Sequence, residues 1–473
     1  MSTLLAGGTV VTMDPDRRVL HDGAVLVEGE RITAVGDRRP LLAEHPDAEV
    51  VDCQDRLVLP GLVNTHTHLF QTLLKGLGDD MVLKDWFDRM TGPSAAALTP
   101  PDVRAAARHG AVEAIRSGTT TVADFMYVHP VPGLTREVVE GLADVGVRGV
   151  VGRGYMTAGA DIGVPPTLVE TVDQALEDAS SLIREYNADD DMIRVGLAPA
   201  MIWTVDEPTL LATREVADAY GALIMMHVSE TDFEVGFANE HYGVSDVEAL
   251  ERAGLLGPDL LAVHCVKCSR PEIDLLARTD TKVSHNPCSN LYLASGVPPI
   301  PAMLRAGLAV GLASDGPASN NNQNLVQTLK FAALMQKGHH HDATIMTAET
   351  VLEMATLHGA QALGLDTYIG SLEPGKRADI AVFSFDNAFV TPLHDPVSAL
   401  VYSATGTEAT TVLINGRIVM HEGMLTTVDE KAVRAEATDA ARQVTARAGT
   451  DQLAMRPWRS VSTRGRNAGA IGR

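Results

Sequence analysis

The middle of the chain alternates short apolar segments with segments of helical spacing, and this alternation restricts the possible folds more than any other feature. The apolar segments are rich in Val, Ile and Leu, as buried strands are, and helical periodicity is clear between them, for example at 101–117 and 207–220. The predicted strands are 62–68, 119–124, 148–154, 193–199, 222–228, 260–264, 282–285 and 308–313. Eight parallel strands with intervening helices close into a barrel, so we predict an α/β protein with a (β/α)8 TIM-type barrel.

Both ends of the chain contain further strand-like segments, outside the predicted barrel. They are 4–13, 24–27 and 31–35 near the start, and 380–383, 411–414 and 417–420 near the other end. Asn415-Gly416 stands between two of them, which is a hairpin pattern because both residues accept a positive φ. We expect one small β-sandwich domain from residues 1–58 and 370–428, the barrel from 59–369, a terminal helix at 429–449 and a flexible basic tail at 450–473.

The charge and composition of the chain restrict its partners. A formal net charge of −23 repels nucleic acid phosphates and anionic membrane surfaces. No apolar segment is long enough to cross a membrane, and the first residues lack the basic and apolar regions of a secretory signal. Four cysteines in 473 residues do not make a disulfide framework. We expect a cytoplasmic homodimer that binds a small molecule and neither nucleic acid nor membranes.

His66 and His68 stand at the end of the first predicted barrel strand. Residues two apart in a strand point to the same face, so both imidazoles are directed into the mouth of the barrel. This arrangement suits two ligands of one metal ion. An isolated His-x-His pair is equally consistent with polar residues that cap a strand, so the pair alone leaves both interpretations open.

Similar residue types recur at the ends of other predicted strands, namely His227, His264 and Asp315. Barrel active sites are assembled at this carboxyl-terminal rim, and a chance convergence of metal-binding residue types on four strand ends is improbable. Imidazole and carboxylate ligands suit zinc or ferrous iron and leave a position open for water. We expect one divalent ion, Zn²⁺ in first place and Fe²⁺ as the alternative, which makes hydroxide available near neutral pH.

Longer motifs follow one another along the chain and extend this set. They are Gly8-Thr-Val-Val-Thr-Met-Asp14, Leu57-Val-Leu-Pro-Gly-Leu-Val-Asn-Thr-His66, His227-x-x-Glu230, Ser284-His-Asn-Pro-x-Ser-Asn290, Ser314-Asp-Gly-Pro-Ala-Ser-Asn320 and Gly370-Ser-Leu-Glu-Pro-Gly-Lys-Arg-Ala-Asp-Ile380. With His68 and His264, this set resembles the amidohydrolase superfamily over nearly the whole chain, in the branch that holds triazine hydrolases and adenosine-type deaminases. Related two-metal barrels bridge their ions with a carbamylated lysine from the middle strands. This chain has no lysine between Asp85 and Val266, which implies a single metal ion.

The resemblance implies a role for each site residue. The metal ligands would be His66, His68, His227 and Asp315. Asp315 would also take the proton of the attacking water and pass it to the leaving amine. Glu230 would protonate a ring nitrogen of the substrate, and His264 would hydrogen-bond the attacking oxygen. The implied activity is hydrolytic removal of an amino group from a nitrogen heterocycle.

The substrate is less closely defined by these patterns. Lys84 and Ala200 stand where adenosine-deaminating relatives have a ribose-binding Glu and a purine-contacting His, and the patterns at 198–202 and 292–296 resemble the triazine hydrolases more closely. We therefore expect a compact aminated heterocycle of the triazine, pterin or oxopurine type. The alternatives are an adenosine-type substrate, a halide or alkylamine leaving group, and a non-catalytic structural relative of the superfamily.

Six further residues are candidates for contact with the substrate: Lys84, Trp86, Arg153, Trp203, Asn290 and Ser319. Lys84 or Arg153 would meet an anionic or carbonyl-bearing substituent. The two tryptophans would stack on the substrate ring, although simple packing explains them equally well.

Overall fold

The computed structural model describes residues 2–187, 192–457 and 460, and the strands of this part of the chain form two sheets. The strands are β1 (Ser2–Val11), β2 (Val19–Glu28), β3 (Arg31–Asp37), β4 (Glu49–Asp52), β5 (Arg56–Pro60), β6 (Leu62–Thr67), β7 (Thr119–Met126), β8 (Arg148–Tyr155), β9 (Ile193–Pro199), β10 (Ile224–Val228), β11 (Leu260–His264), β12 (Lys282–His285), β13 (Val310–Leu312), β14 (Ile380–Ser384), β15 (Ala409–Ile414), β16 (Arg417–His421) and β17 (Met424–Leu425).

The helices lie mostly between the strands of the second, parallel sheet. They are α1 (Arg38–Glu44), α2 (Leu83–Trp86), α3 (Gly92–Ala95), α4 (Pro100–Arg116), α5 (Leu134–Val145), α6 (Val172–Tyr186), α7 (Glu207–Tyr220), α8 (Asp232–Tyr242), α9 (Asp246–Arg252), α10 (Arg270–Arg278), α11 (Pro287–Tyr292), α12 (Ile300–Arg305), α13 (Leu325–His340), α14 (Ala348–Met354), α15 (Leu357–Ala362), α16 (Pro396–Tyr402) and α17 (Glu430–Ala448). Within the described ranges, none of these helices has the length and hydropathy needed to cross a membrane.

Strands β6 to β13 form the barrel. They are parallel and stand in chain order, each hydrogen-bonded to the next. The predicted (β/α)8 barrel is confirmed, with shifts at some strand ends. For example, β10 begins at Ile224 rather than at residue 222. Gly221 ends helix α7 in the left-handed conformation, and the Ala222 N–H still bonds to the carbonyl of Ala217.

Contacts between β6 and the residues after β13 close the barrel. The Ser314 N–H donates to the side-chain oxygen of Asn64 at 3.0 Å, and the Asp315 N–H donates to the carbonyl of His66 at 3.1 Å. The closure therefore brings Asp315 beside His66 at the carboxyl-terminal rim of the barrel.

The other sheet is built from both ends of the chain, as predicted. Its order is β17-β16-β15-β14-β5-β1-β2-β3, with β4 beside β1. The sheet curls so that residues from its two halves, such as Val25, Val58 and Leu413, share one buried core in the manner of a sandwich. The sequence patterns do not predict β4, β5 and β17. β4 and β5 are short and pair with strands that are distant in the chain, and β17 has only two residues.

Among the contacts that join this sheet to the barrel, two are closely fitted. β5 leads into β6 through Gly61, where an added Cβ would lie 2.1 Å from the Thr120 hydroxyl oxygen, so the close approach requires glycine. Arg148 of β8 and Asp379, next to β14, form a fully buried ion pair with Nε–Oδ2 and Nη2–Oδ1 distances of 2.7 and 3.0 Å. Both contacts lie at the end of the barrel opposite the carboxyl-terminal rim.

The chain after helix α17 remains in contact with the body of the protein. The Thr450 hydroxyl is buried and lies 2.9 Å from the hydroxyl of Ser94, and Arg456 forms an ion pair with Asp79. Two residues of the predicted flexible tail, Thr450 and Arg456, are thus in contact with the rest of the chain. Most of the predicted tail, residues 458–459 and 461–473, lies outside the described residues.

Candidate metal centre and active site

Three histidines meet at the carboxyl-terminal rim of the barrel. His66 and His68 come from the end of β6, and His227 comes from β10. One ring nitrogen from each lies within 4.8 Å of the others, and all three side chains are buried. Nε2 of His68 is only 3.3 Å from Nε2 of His227.

The backbone orients two of these rings. Nδ1 of His68 donates to the carbonyl of Phe125, and Nδ1 of His227 donates to the carbonyl of Ala200, both at 2.7 Å. A neutral imidazole that donates through Nδ1 has its lone pair on Nε2, so two lone pairs face each other across 3.3 Å. Such an arrangement is repulsive unless a cation lies between the two nitrogens.

The surroundings of His66 also indicate a bound cation. Neither of its ring nitrogens has a hydrogen-bond partner among the described residues, although the ring is fully buried. Burial lowers the pKa of His66 to about 4 and that of His68 to about 3, and it holds the pKa of His227 well below its usual value. The three rings are therefore neutral, as metal ligands must be.

Asp315 completes the donor set from the end of the last strand. Its Oδ1 lies 3.5 Å from Nε2 of His66 and 3.6 Å from Nε2 of His68. Burial acts to raise the pKa of Asp315, but the neighbouring imidazoles outweigh it and hold the pKa well below the usual range. Three imidazoles and a carboxylate suit a divalent metal ion of the zinc type, so these residues fit the predicted metal.

A buried polar network holds Asp315 in a left-handed conformation, with φ of 63°. The Thr67 hydroxyl donates to the Asp315 carbonyl at 3.1 Å, and the Gln323 amide donates to Thr67 at 2.5 Å. Gln323 also accepts hydrogen bonds from Asn64 and Ser314 at 3.1 and 3.0 Å. The sequence analysis missed Gln323, which is fully buried but carries no pattern that marks it as part of the site.

Glu230 follows β10, the strand that carries His227, and His264 ends the neighbouring strand β11. Nε2 of His264 is 3.5 Å from Oε2 of Glu230 and 3.8 Å from Oδ2 of Asp315. Asn290 lies behind His264 and faces its Nδ1 at 2.9 Å. Ser295, which the sequence analysis missed, donates to Oε1 of Glu230 at 2.8 Å. Burial raises the pKa of Glu230, which favours the protonated form that a proton donor requires.

Two further buried carboxylates shape the turn that presents Glu230. Oε2 of Glu234 accepts the N–H groups of Glu230 and Thr231 at 2.8 and 2.9 Å. Asp246 accepts the N–H and the hydroxyl of Ser229, both at 2.5 Å, and Ser229 has a φ of 50°. The capping box at Thr231–Glu234 is readable from the sequence, but the contact with Glu230 depends on the tertiary structure.

One cavity opens directly onto this cluster. Its wall contains His68, His227, Glu230, His264 and Asp315, and around them Val82, Leu83, Lys84, Trp86, Phe87, Tyr127, Met201, Trp203, Thr231, Phe233, Leu293 and Ser319. Four of the six residues proposed for substrate contact thus lie on the wall: Lys84, Trp86, Trp203 and Ser319. Asn290 lies behind His264 and contacts the cavity only through that ring.

Arg153 lies elsewhere, against the expectation that it meets the substrate. Its guanidinium is buried and forms ion pairs with Glu170 at 2.6 Å and Asp178 at 2.8 Å. It lines a separate surface depression with His129, between helices on the outside of the barrel. The two glycines that flank Arg153 in β8 face the interior, so the alternation of the strand directs Arg153 outward.

The barrel and the histidine–aspartate cluster at its rim define a metal-dependent hydrolase, and comparison with known proteins identifies its family. The model of the Amidohydrolase family matches residues 57–419, and an imidazolonepropionase-like composite domain of bacteria matches residues 23–48. The chain belongs to the amidohydrolase family, and it acts on C–N bonds. The predicted superfamily and enzyme class are thereby confirmed.

Several relatives are similar over nearly their whole length. The 5'-deoxyadenosine deaminase of Methanothermobacter thermautotrophicus is 39% identical over 94% of this chain and 99% of its own. The 5-methylthioadenosine/S-adenosylhomocysteine deaminase of Thermococcus kodakarensis is 39% identical over 89% of this chain and 94% of its own.

Solved structures are also similar to the chain over nearly its whole length. An adenosine deaminase from Xanthomonas campestris with bound zinc has a TM-score of 0.87 at 32% identity, covering 94% of this chain and 98% of its own. The atrazine chlorohydrolase of Arthrobacter aurescens complexed with zinc has a TM-score of 0.88 at 28% identity, covering 93% of this chain and 100% of its own. Both relatives named in the resemblance, deaminases and triazine hydrolases, are therefore present among the similar proteins.

Proposed function

We propose that the protein hydrolytically removes the exocyclic amino group from an adenine-type ring, with one zinc ion held by three histidines and Asp315. The observation that carries the proposal is the convergence of Glu230, His264 and Asp315 on one cavity beside the metal-binding histidines. The adenosine-type deaminases that match this chain over nearly their whole length support the choice of ring.

Each residue of the site performs a different part of the proposed reaction. A bound zinc ion acts as a Lewis acid and favours deprotonation of water near neutral pH. The Asp315 carboxylate accepts the proton of the attacking water and later delivers it to the leaving amine. His264, 3.8 Å from Asp315, donates a hydrogen bond to the attacking oxygen. Asn290 fixes the orientation of the His264 ring through Nδ1.

Glu230 acts on the other side of the attacked carbon. Ser295 holds its Oε1, and its Oε2 faces His264 and the cavity. A protonated Glu230 donates to a ring nitrogen, which makes the attacked carbon more electrophilic and helps an amine, a poor leaving group, to depart. This is the step that distinguishes deamination from loss of a halide, which needs less assistance.

A second candidate substrate is the compact aminated heterocycle expected from the sequence. Among the described residues of the cavity wall, the only carboxylates are Glu230 and Asp315, which leaves none for the hydroxyls of a ribose. The carbonyl of Ala200 accepts a hydrogen bond from Nδ1 of His227. The methyl side chain of Ala200 cannot form a hydrogen bond with a purine. These observations favour a ring without a sugar, such as a triazine, pterin or oxopurine.

A release assay with the zinc-loaded protein decides between the candidates. The panel contains adenosine, 5'-deoxyadenosine and 5'-methylthioadenosine beside aminotriazines, aminopterins and aminated oxopurines, with ammonia measured for each. N-alkyl and chloro triazines, with alkylamine and chloride measured, test the other leaving groups. We expect the highest kcat/KM with an adenine nucleoside. Turnover of compact rings alone overturns the choice of ring, and no turnover of any member indicates a non-catalytic relative.

Three further properties belong to the proposal. The chain divides into a small domain (1–58 and 370–428), a barrel (59–369) and a terminal helix (429–449), which the two separate sheets and helix α17 support. The second property is a cytoplasmic location, which the four free cysteines among the described residues support. The third property is a homodimeric state. Cell fractionation and light scattering of the purified protein test location and oligomeric state.

A further inference from the structure

The loop 75–82 lies between the 3-10 helix Leu69–Leu74 and helix α2, and it leads into one side of the active-site cavity. The apolar side chains of that side, which we call the apolar wall, are Val82, Leu83, Trp86 and Phe87. The loop packs closely on this wall, since a Cβ added to Gly78 would lie 2.5 Å from Cδ1 and 2.6 Å from Nε1 of Trp86. The position of the loop therefore affects the shape of the cavity.

Asp79, in the middle of this loop, is held from two sides. The Tyr292 hydroxyl donates to Oδ1 of Asp79, and the guanidinium of Arg456 forms an ion pair with Oδ2. Nη1 of Arg456 also donates to the Asp79 carbonyl at 3.1 Å. We call these three residues the Asp79 clamp. They bring together three segments that are distant from one another in the chain.

Tyr292 connects the Asp79 clamp to a second segment of the cavity wall. It is the last residue of helix α11, and the next residue, Leu293, lies on the wall. Three residues after Tyr292, the Ser295 hydroxyl donates to Oε1 of Glu230 at 2.8 Å. The Asp79 clamp thus joins the apolar wall to the segment that holds the proposed proton donor.

Arg456 connects the Asp79 clamp to the chain after helix α17. That segment is anchored where it begins, because the Thr450 hydroxyl is buried 2.9 Å from the hydroxyl of Ser94. The ion pair itself is accessible to water, with the side chains of Arg456 and Asp79 28% and 36% exposed. An ion pair of this exposure contributes little to global stability, and its opening leaves no buried charge without a partner. It therefore suits a contact that opens and closes while the fold stays intact.

From these contacts we infer that Arg456 is a positioning residue for the active-site cavity. Through Asp79 it holds the loop 75–82 and the apolar wall in the closed conformation that binds the substrate, and release of the ion pair opens this side of the cavity. Arg456 acts from a distance, since it lies outside the described wall of the cavity. The inference rests on the proposed function only because it takes this cavity as the substrate site.

Hydrogen–deuterium exchange of the zinc-loaded full chain tests the inference without turnover, because amide exchange measures local opening. In the loop, the Gly76 N–H donates to Oδ1 of Asn321 at 2.7 Å and the Leu77 N–H to the carbonyl of Leu74 at 3.2 Å. Arg456→Ala should accelerate the exchange of these amides by about threefold to fivefold. The upper value corresponds to about 1 kcal/mol, the most that a partly exposed ion pair usually contributes.

A double-mutant cycle tests whether Arg456 acts through Asp79. Asp79→Asn should accelerate exchange as much as Arg456→Ala, because the amide still accepts from Tyr292 but carries no charge. The double variant should open no further than either single variant, since both substitutions remove the same contact. The control is Arg442→Ala, which removes an exposed ion pair with Asp439 on helix α17. A further increase of about threefold in the double variant, or an equal increase in the control, overturns the inference.

Kinetics and exchange together separate this inference from the proposed function. With the best substrate of the release assay, Arg456→Ala should raise KM by about twofold with little change in kcat, because only the closed conformation binds substrate. A lower kcat at unchanged KM would show a general effect on the fold and overturns the inference. If no member of the panel is turned over, the proposed function fails and the exchange of the loop amides still decides the inference. Unchanged exchange in an Arg456→Ala variant with normal turnover overturns the inference and leaves the proposed function in place.

Discussion

The carboxylate of Glu234 accepts a hydrogen bond from the backbone N–H of Glu230 at 2.8 Å. Glu234 is the third residue of helix α8, so one buried side chain both caps that helix and fixes the turn that presents Glu230 to the cavity. Burial, with the neighbouring carboxylates adding to it, holds the pKa of Glu234 well above its usual value. Glu234 is therefore a positioning residue for Glu230.

Glu234→Ala should lower kcat by about 10-fold or more with a smaller change in KM, because Glu230 loses its orientation while the apolar wall stays in place. Glu234→Gln retains an acceptor oxygen and should restore most of the activity. Glu272→Ala is the control, since Glu272 caps α10 in the same way, accepting the Ser269 N–H at 2.6 Å, but lies outside the cavity. An equal loss in both alanine variants would show a general effect on stability.

Glu230→Gln should keep the metal stoichiometry and lose about 100-fold or more in deamination rate, because the amide accepts the Ser295 hydroxyl but cannot donate the proton. Metal analysis and steady-state kinetics measure the two effects separately. Loss of zinc from the variant, with activity restored by excess zinc, would make Glu230 a metal ligand or its support instead.

Asp315→Asn should leave the fold largely intact and remove nearly all turnover, because the amide keeps the contacts of the strand end but cannot carry the proton. General acid–base assistance of this kind is worth about 100- to 10,000-fold. Circular dichroism and metal analysis provide the controls for folding and loading. A loaded variant that retains more than about a tenth of the wild-type rate would exclude Asp315 as the proton carrier.

The fully active protein should contain one divalent ion per chain, because the two possible donor groups at the rim, His66–His68–His227 and His66–His264–Asp315, share His66 and lie around one position. Removal of the ion with a chelator should abolish turnover, and addition of zinc should restore it. Elemental analysis during reconstitution measures the stoichiometry. Activity that rises in proportion to a second equivalent of metal would contradict a mononuclear site.

Asp379→Asn should destabilise the protein by about 3–5 kcal/mol, because Arg148 keeps its charge in a fully buried position while its carboxylate partner is lost. Urea unfolding measures the free energy of unfolding. Asp144→Asn serves as the control, since the ion pair of Asp144 with Arg104 is partly exposed and contributes little. Equal stability of the two variants would show that Asp379 does not join the two sheets energetically.

Local patterns in the sequence determined the barrel and the chemically reactive residues. The alternation of apolar and helical segments predicts all eight barrel strands, because each strand buries its own side chains whatever its neighbours are. The residue types at the strand ends predict which side chains meet at the rim, because parallel strands place their carboxyl ends at one edge. For strands β9, β11 and β12, the predicted and observed bounds are the same.

The tertiary structure alone decided what surrounds those residues. Gln323 reaches Thr67 across 256 positions of sequence, and Asp379 reaches Arg148 across 231, distances at which no local periodicity carries information. Lys84 and Arg153 were both predicted to meet the substrate from their charge, but the structure pairs each of them with carboxylates. The difference has one physical reason: burial follows the pattern of a segment itself, whereas the partner of a polar side chain is set by which distant segments the fold brings beside it.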